Sequence, residues 1–228
     1  MKILAIDTTS ALGSVALLED DQILVEKSWQ EASSHTALLP TQLQNLMNDA
    51  KVRLEDIDLF AVAKGPGSFT GIRIGLAFVK GLCLQSKKPA IGISTLEAMA
   101  TQAPDGWMSP MIDARRDQIF AALYHKKGEV LEVLIEEQAE FPENFIQKMK
   151  DLPQIDFQKV TYLGSGAQKY SELLKKEIGS EVSILVQENP LASSIGKLAF
   201  HKAQQALTVS SSLDLSPSYL RGSAAEFN

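Results

Sequence analysis

Two stretches of the chain can be laid over one another without a gap: IDTTSALGSVAL from Ile6 and IDARRDQIFAAL from Ile112. In each, an apolar run ends in Ile-Asp and a polar turn follows. An apolar run then resumes, at Val15-Ala16-Leu17 in one copy and at Ala121-Ala122-Leu123 in the other. A turn cluster, EDDQ or HKKGE, leads on to a third strand-like run, ILVEKSW or VLEVLI. This spacing predicts a three-strand meander built twice, so the fold must be twofold in its own plan.

The segment after each meander repeats as well. In the first half, Ser33 or Ser34 is expected to cap a helix whose Leu39, Leu43, Leu46, Met47 and Ala50 share one face, with Pro40 offsetting or kinking its first turn. The strand DLFAVAK, a Gly-rich loop, a helix from Gly71 to Gln85 and the strand PAIGI come next. A helix opened by Ser94, with Glu97 completing a capping box, ends the half. In the second half the same reading gives a helix from Pro142 to Lys150, the strand KVTYLG and a helix from Ala167 to Glu177. The strand SILV and a last helix from about Leu191 to Leu207 complete it. Both halves read βββαβαβα, which divides the chain into an N-terminal lobe over 1–105, a C-terminal lobe over 106–221 and a tail over 222–228.

A chain of 228 residues with 45% hydrophobic content can bury a core in each lobe. Its single cysteine, Cys83, allows no intrachain disulfide and has no zinc-like spacing around it, which fits a reducing cytoplasm. The apolar run before Asp7 is too short for a signal peptide, and no stretch is long enough to span a bilayer, so no membrane partner is expected. A formal charge of −6 argues against nucleic-acid affinity carried by the chain alone.

The glycines of VAKGPGSFTGIRIGLAFVKGL, Val62 to Leu82, match no nucleotide fingerprint. A Walker A count from Gly65 lands on Thr70 and from Gly67 on Ile72, and G-x-G-x-x-G would need glycine where Thr70 stands. The loop is either an anion site made of backbone N–H groups at a helix start or a turn that lets strand and helix pack closely. The helix after it carries two apolar stripes: Ile72, Leu76, Val79 and Cys83 on one, Gly71, Gly75, Phe78 and Leu82 on the other. One stripe can cover a sheet. The other is expected to form a close helix seam through Gly71 and Gly75.

Several motifs in order carry a resemblance: ILAIDTTS, SHTALLP, AVAKGPGSFTGIRIGLAFVKGL, IGISTLEAMA, IDARRDQIFAALY and PSYLR, from Met1 to about Arg221. Together they resemble the TsaB (YeaZ) family, while the tail GSAAEFN does not. The duplicated plan, with Asp closing each first strand, is similar to the actin/Hsp70-like ATPase (ASKHA) fold, in which paired aspartates hold a nucleotide's metal across a cleft. Asp7 and Asp113 match those places, although each can equally close an Asx-turn. The resemblance implies a non-catalytic partner of TsaD in threonylcarbamoyladenosine synthesis at position 37 of tRNAs reading codons that begin with A. The expected assemblies are a heterodimer with TsaD, an ATP-dependent ternary complex with TsaE and a homodimer in isolation, with tRNA reached only through the complex. The implied interface lies on the helices around His35 to Ala50 and Gly71 to Gln85, with His35, Leu38, Gly71, Gly75, Phe78 and Leu82 as its residues.

TsaD-like sequences place two imidazoles four apart on a helix, where Thr95 and Met99 stand here. The resemblance therefore implies no metal, no cofactor and no catalytic residue in this chain. His35, His125 and His201 read as structural or surface residues. Weak or vestigial nucleotide binding would fall on Asp7, Thr8, Thr9, Asp113, Gly164 and Gly166. The alternative function is an ATPase-like enzyme using Asp7 and Asp113.

Overall fold

The structure, a computed structural model, describes residues 1–30, 35–186, 189–205 and 215–221. β1 (Lys2–Asp7), β2 (Leu12–Glu19) and β3 (Gln22–Gln30) form an antiparallel meander. β4 (Leu59–Ala63) and β5 (Ala90–Ile93) join β1 in parallel, giving the order β3-β2-β1-β4-β5. The second sheet repeats the plan with β6 (Gly106–Arg115), β7 (Gln118–Lys127), β8 (Val130–Glu140), β9 (Thr161–Leu163) and β10 (Ser183–Leu185). Its order, β10-β9-β6-β7-β8, is the first order read from the opposite edge. The repeat seen in the sequence is thus a repeat of topology, and Asp7 and Asp113 both lie near the end of a first strand.

Parallel neighbours need crossovers, and helices supply them. α1 (His35–Ala50) precedes β4, α2 (Phe69–Ser86) links β4 to β5, and α3 (Thr95–Thr101) leads out of the first half. In the second half α4 (Pro142–Lys150) precedes β9, and α5 (Ser165–Lys169) with α6 (Ser171–Ile178) links β9 to β10. α7 (Ala192–Gln204) is the last described helix. The expected caps Ser33 and Ser34 lie outside the described residues, and so does the tail over 222–228. Two details depart from the sequence expectations. α1 runs unbroken through Pro40, which lies on its exposed side, while Leu39, Leu43, Leu46 and Met47 are buried on the other. The single helix expected over 167–177 is two, because Tyr170 leaves helical geometry at φ −103 and ψ 23.

The chain separates into two compact units, Met1–Ala98 with Pro190–Ser218 and Met99–Asn189 with Tyr219–Asn228. The sequence division assigned the last helix to the second lobe, but α7 packs on β1, β2 and β4 of the first. Pleating explains why. Leu4, Ile6, Val15 and Leu17 face the core shared with α1 and α2, so the equally buried Ile3, Ala5, Ala16 and Leu18 point to the other face. α7 covers that face: a side chain at Gly196 would run into Leu18, and the Ala192 N–H donates to Ser14 Oγ at 3.1 Å. A strand buried on both faces reads as a continuous apolar run, as KILAI does. In the second unit α4 brings Phe145, Ile146 and Met149 against Met111, Ile119, Ala121 and Tyr162.

Candidate functional site

Asp7 ends β1 with its carboxylate turned back on its own chain. Oδ1 accepts from the Thr9 N–H at 2.9 Å and from Thr9 Oγ1 at 2.7 Å, which is an Asx-turn. The Gly-rich loop and the first turns of α2 then close over Thr8 and Thr9. Thr8 Oγ1 donates to the Gly71 carbonyl at 2.7 Å, and the Ser68 N–H donates to the Thr9 carbonyl at 2.7 Å. A side chain at Gly71 would overlap the Thr8 carbonyl oxygen, and a Cβ at Gly75 would sit 2.6 Å from Thr8 Oγ1 and 3.3 Å from Val62 Cγ2. At Gly67, with φ +158, a Cβ would press on the Thr9 carbonyl.

These glycines are therefore internal. The expected seam through Gly71 and Gly75 does not exist as an outward surface, because the backbone they admit is the chain's own β1–β2 turn. Two N–H groups that an anion cradle would draw on are already committed: the Ser68 N–H is given to Thr9, and the Gly71 N–H to Ser68 Oγ at 3.2 Å. Ser68 is the N-cap of α2, whose first residue lies two positions earlier than the expected start at Gly71. The serine shortly before the apolar-periodic run is the signal for it.

His35 and Leu38, assigned to the same interface, are likewise turned inward. The Trp29 Nε1–H donates to His35 Nδ1 at 2.9 Å, so the opposite nitrogen carries the proton and donates to the Ser10 carbonyl at 2.8 Å. The imidazole thereby ties the start of α1 to β3 and to the β1–β2 turn. Leu38 is partly buried against the core, as are Phe78 and Leu82. The face that α2 does present outward is one row: Arg73, Ala77, Gly81 and Leu84 are all exposed. Among the described residues nothing lies within 4 Å of a Cβ placed at Gly81, and Leu84 is 61% exposed. The Arg73 guanidinium lies over the Phe69 ring, 3.7 Å from its centroid.

In the second unit Asp113 is neutralised by cations. Oδ1 accepts from Lys169 Nζ at 3.0 Å and from the Arg115 N–H at 3.0 Å, and Arg115 Nη1 lies 3.5 Å from Oδ2. The Asp113 N–H donates to Ser165 Oγ at 3.1 Å. Gly164 and Gly166 pack on Met111: a Cβ at Gly164 would sit 2.6 Å from its carbonyl oxygen, and one at Gly166 3.0 Å. The two aspartates titrate in opposite directions. Burial pushes Asp7 up, against the hydrogen bonds from Thr9. At Asp113 partial burial opposes ionisation, but the hydrogen bonds from Lys169 and Arg115 outweigh it and hold the carboxyl below its usual range. A nucleotide-bound metal does not fit Asp113, whose two oxygens already face an ammonium and a guanidinium. Asp7 differs, since its buried Oδ2 has no hydrogen-bond partner among the described residues.

α3 carries Thr95 and Met99, the two positions that the resemblance matches to imidazoles. Thr95 is buried, its N–H donating to the Gly65 carbonyl at 2.9 Å and its Oγ1 lying 3.4 Å from Thr9 Oγ1. Met99 is buried against Gly164. Ser94 Oγ accepts from the N–H groups of Leu96 and Glu97, the expected cap, while the Glu97 carboxylate meets Lys202 Nζ at 2.7 Å. His125 packs on Trp107 and lies 3.7 Å from Glu132, and His201 packs on Phe200. Among the described residues no three His, Cys, Asp or Glu side chains converge as metal ligands, and no helix is long and apolar enough to cross a membrane.

A family profile described as TsaD, tRNA N6-adenosine threonylcarbamoyltransferase, matches residues 29–228. The tRNA threonylcarbamoyladenosine biosynthesis protein TsaB of Bacillus subtilis is 32% identical, over 99% of this chain and 96% of its own length. A Pseudomonas aeruginosa structure, described as an uncharacterized protein with similarity to peptidase YEAZ, superposes with a TM-score of 0.84 at 25% identity, covering 96% of this chain and 99% of that one. Component A of the Acidaminococcus fermentans (R)-2-hydroxyglutaryl-CoA dehydratase, at 12% identity and a TM-score of 0.50 over 90% of this chain and 99% of its own, shares the fold alone. The architecture is the duplicated actin-like ATPase fold.

The packing and titration of the first unit can each be tested. Gly71→Ala forces a methyl into a backbone carbonyl and should cost about 3 kcal/mol or more. Gly81→Ala, in open helix, should add about 0.5–1 kcal/mol. Thermal unfolding of both variants checks the assignment of inner and outer faces, and equal effects would contradict it. Asp7, raised by burial, contributes stability that is complete below its unfolded pKa of about 4 and is lost as pH rises through the folded value. Asp7→Asn does not titrate. Its stability relative to wild type, read by urea unfolding, should therefore rise as pH increases above about 4, and a flat or falling difference would contradict the burial argument.

Proposed function

Because the chain belongs to the TsaB family of tRNA threonylcarbamoyladenosine biosynthesis proteins, we propose that it is the non-catalytic partner of the related subunit TsaD. It stabilises and positions TsaD while that subunit forms the threonylcarbamoyl group on adenosine 37 of tRNAs reading codons that begin with A. The observation that carries this reading is the inward use of the groups that chemistry would need. Asp7 Oδ1 is held by Thr9, Asp113 by Lys169 and Arg115, and the glycines by Thr8 and Thr9. Thr95 and Met99, buried on α3, offer no imidazole to a metal.

In this reading the outward row of α2, Arg73, Ala77, Gly81 and Leu84, with partly buried Phe78 and Leu82 at its edge, is the pairing surface. Ala77 and Gly81 are small residues four apart and let a facing helix approach closely. The same self-complementary patch would serve a homodimer in isolation and a pseudo-twofold pairing with TsaD. TsaE joins that pair in an ATP-dependent ternary complex, and tRNA is engaged in the assembly. A second reading, an ATPase-like enzyme, draws on the unpartnered Oδ2 of buried Asp7.

Gly81→Arg separates interface from fold, which Gly75→Arg cannot do because Gly75 packs on Thr8. An arginine at Gly81 has room in the free chain but would be buried unpaired in a helix seam, at a cost of several kcal/mol. The variant should stay folded, run as a monomer on size exclusion, lose co-purification with TsaD and fail to support tRNA modification in cells. A folded variant that still pairs and still supports modification would contradict the proposed surface. In the same assay Asp113→Asn leaves modification intact if the chain is a partner, and abolishes it if Asp113 serves a nucleotide.

A further inference from the structure

The turn between β6 and β7 is unusually demanding of its residues. Arg115, Arg116 and Asp117 have φ of +61, +52 and +58, and Arg115 pairs with Gln118, which leaves Arg116 and Asp117 as the two turn residues. Turns of this kind favour Asn and Gly, because a side chain crowds the left-handed backbone. Two arginines and an aspartate occupy those positions instead. The Arg115 side chain is 86% exposed. Arg116 has no ion pair among the described residues.

Two other segments bring cations to the same place. Lys169, from α5, reaches Asp113 at 3.0 Å beside Arg115. Arg221 donates from Nη1 to Gln118 Oε1 at 3.0 Å, on the rung opposite Arg115. Four cations from three parts of the chain thus gather at one hairpin end, against the carboxylates of Asp113 and Asp117, in a protein whose formal charge is −6. We infer that the tip of the β6–β7 hairpin, with Lys169 and Arg221 beside it, is a contact for the phosphate backbone of RNA. Planar guanidinium groups match phosphate oxygens bidentately, and those of Arg115 and Arg116 are exposed to solvent. An RNA is the occupant because the chain serves a tRNA-modifying pathway. The overall negative charge keeps the isolated chain's affinity low, so the contact acts as an addition to an RNA surface supplied by the assembly. To that extent it rests on the partner role proposed above.

The test uses the purified chain and an unmodified tRNA transcript at about 50 mM salt, where phosphate contacts are strongest. Replacing both Arg115→Gly and Arg116→Gly removes the charges while suiting the left-handed backbone, so the melting temperature should hold or rise. Binding should weaken about tenfold, and the slope of log affinity against log salt should flatten by about two units. Arg116→Asn, also at ease in this turn, should give about half the loss in slope. Wild type that does not bind the transcript, or variants with unchanged affinity and slope, would overturn the inference. RNA binding retained with loss of a protein partner would also overturn it, and would assign the tip to an acidic protein surface. Size exclusion with TsaD, run on the same variants, reports the partner role separately.

Discussion

The approach of α2 to the turn after β1 is the contact on which the rest of the first unit depends. Gly71 and Gly75 bring the helix so near to Thr8 that no side chain fits between them. Hydrogen bonds from Thr8 Oγ1 to Gly71 and from Ser68 to Thr9 close the gap. Two of the N–H groups at this helix start, those of Ser68 and Gly71, and one oxygen of the Asp7 carboxylate are committed in making this contact. Asp7 is left with an Asx-turn and a burial that disfavours its charge. The geometry that holds the unit together is also the geometry that favours a structural over a catalytic role.

The consequence for the surface is a division of labour along one helix. The inward side of α2 serves β1 and β4 through Gly71, Ile72, Gly75, Leu76 and Val79. Its outward row keeps Ala77 and Gly81 small and Leu84 exposed. Leu84, 61% exposed, and Phe69, 45% exposed, leave apolar surface on that outward side, which is a reason to look for a partner there. The second unit reaches a similar end by another route. Asp113 is matched by Lys169 and Arg115, so charge pairing does at the second turn what burial does at the first.

The duplication is legible because two Ile-Asp turns share one spacing, and topology preserves what the spacing implies. The strands and most helices come from periodicity, and Pro142 at the start of α4 from its suitability for a first turn. The placement of α7 is not legible: an apolar stripe says that a helix will be covered, not by which sheet. The inward direction of Gly71 and Gly75 is hidden for a related reason. Small residues four apart announce close approach, and periodicity cannot tell whether the approaching backbone belongs to the same chain. The burial of His35 is hidden too, because its partners, Trp29 and Ser10, lie on strand and turn elements that only the folded meander brings together.

Side-chain footprinting by hydroxyl radicals, with and without TsaD, tests the central claim most directly. Phe69 and Leu84 mark the outward side of α2, while Ile23 and Leu24, each 45% exposed on the edge strand β3, serve as internal controls. The account predicts that Phe69 and Leu84 lose reactivity on complex formation while Ile23 and Leu24 keep theirs. Unchanged reactivity of Phe69 and Leu84, with protection appearing on β3, would contradict it.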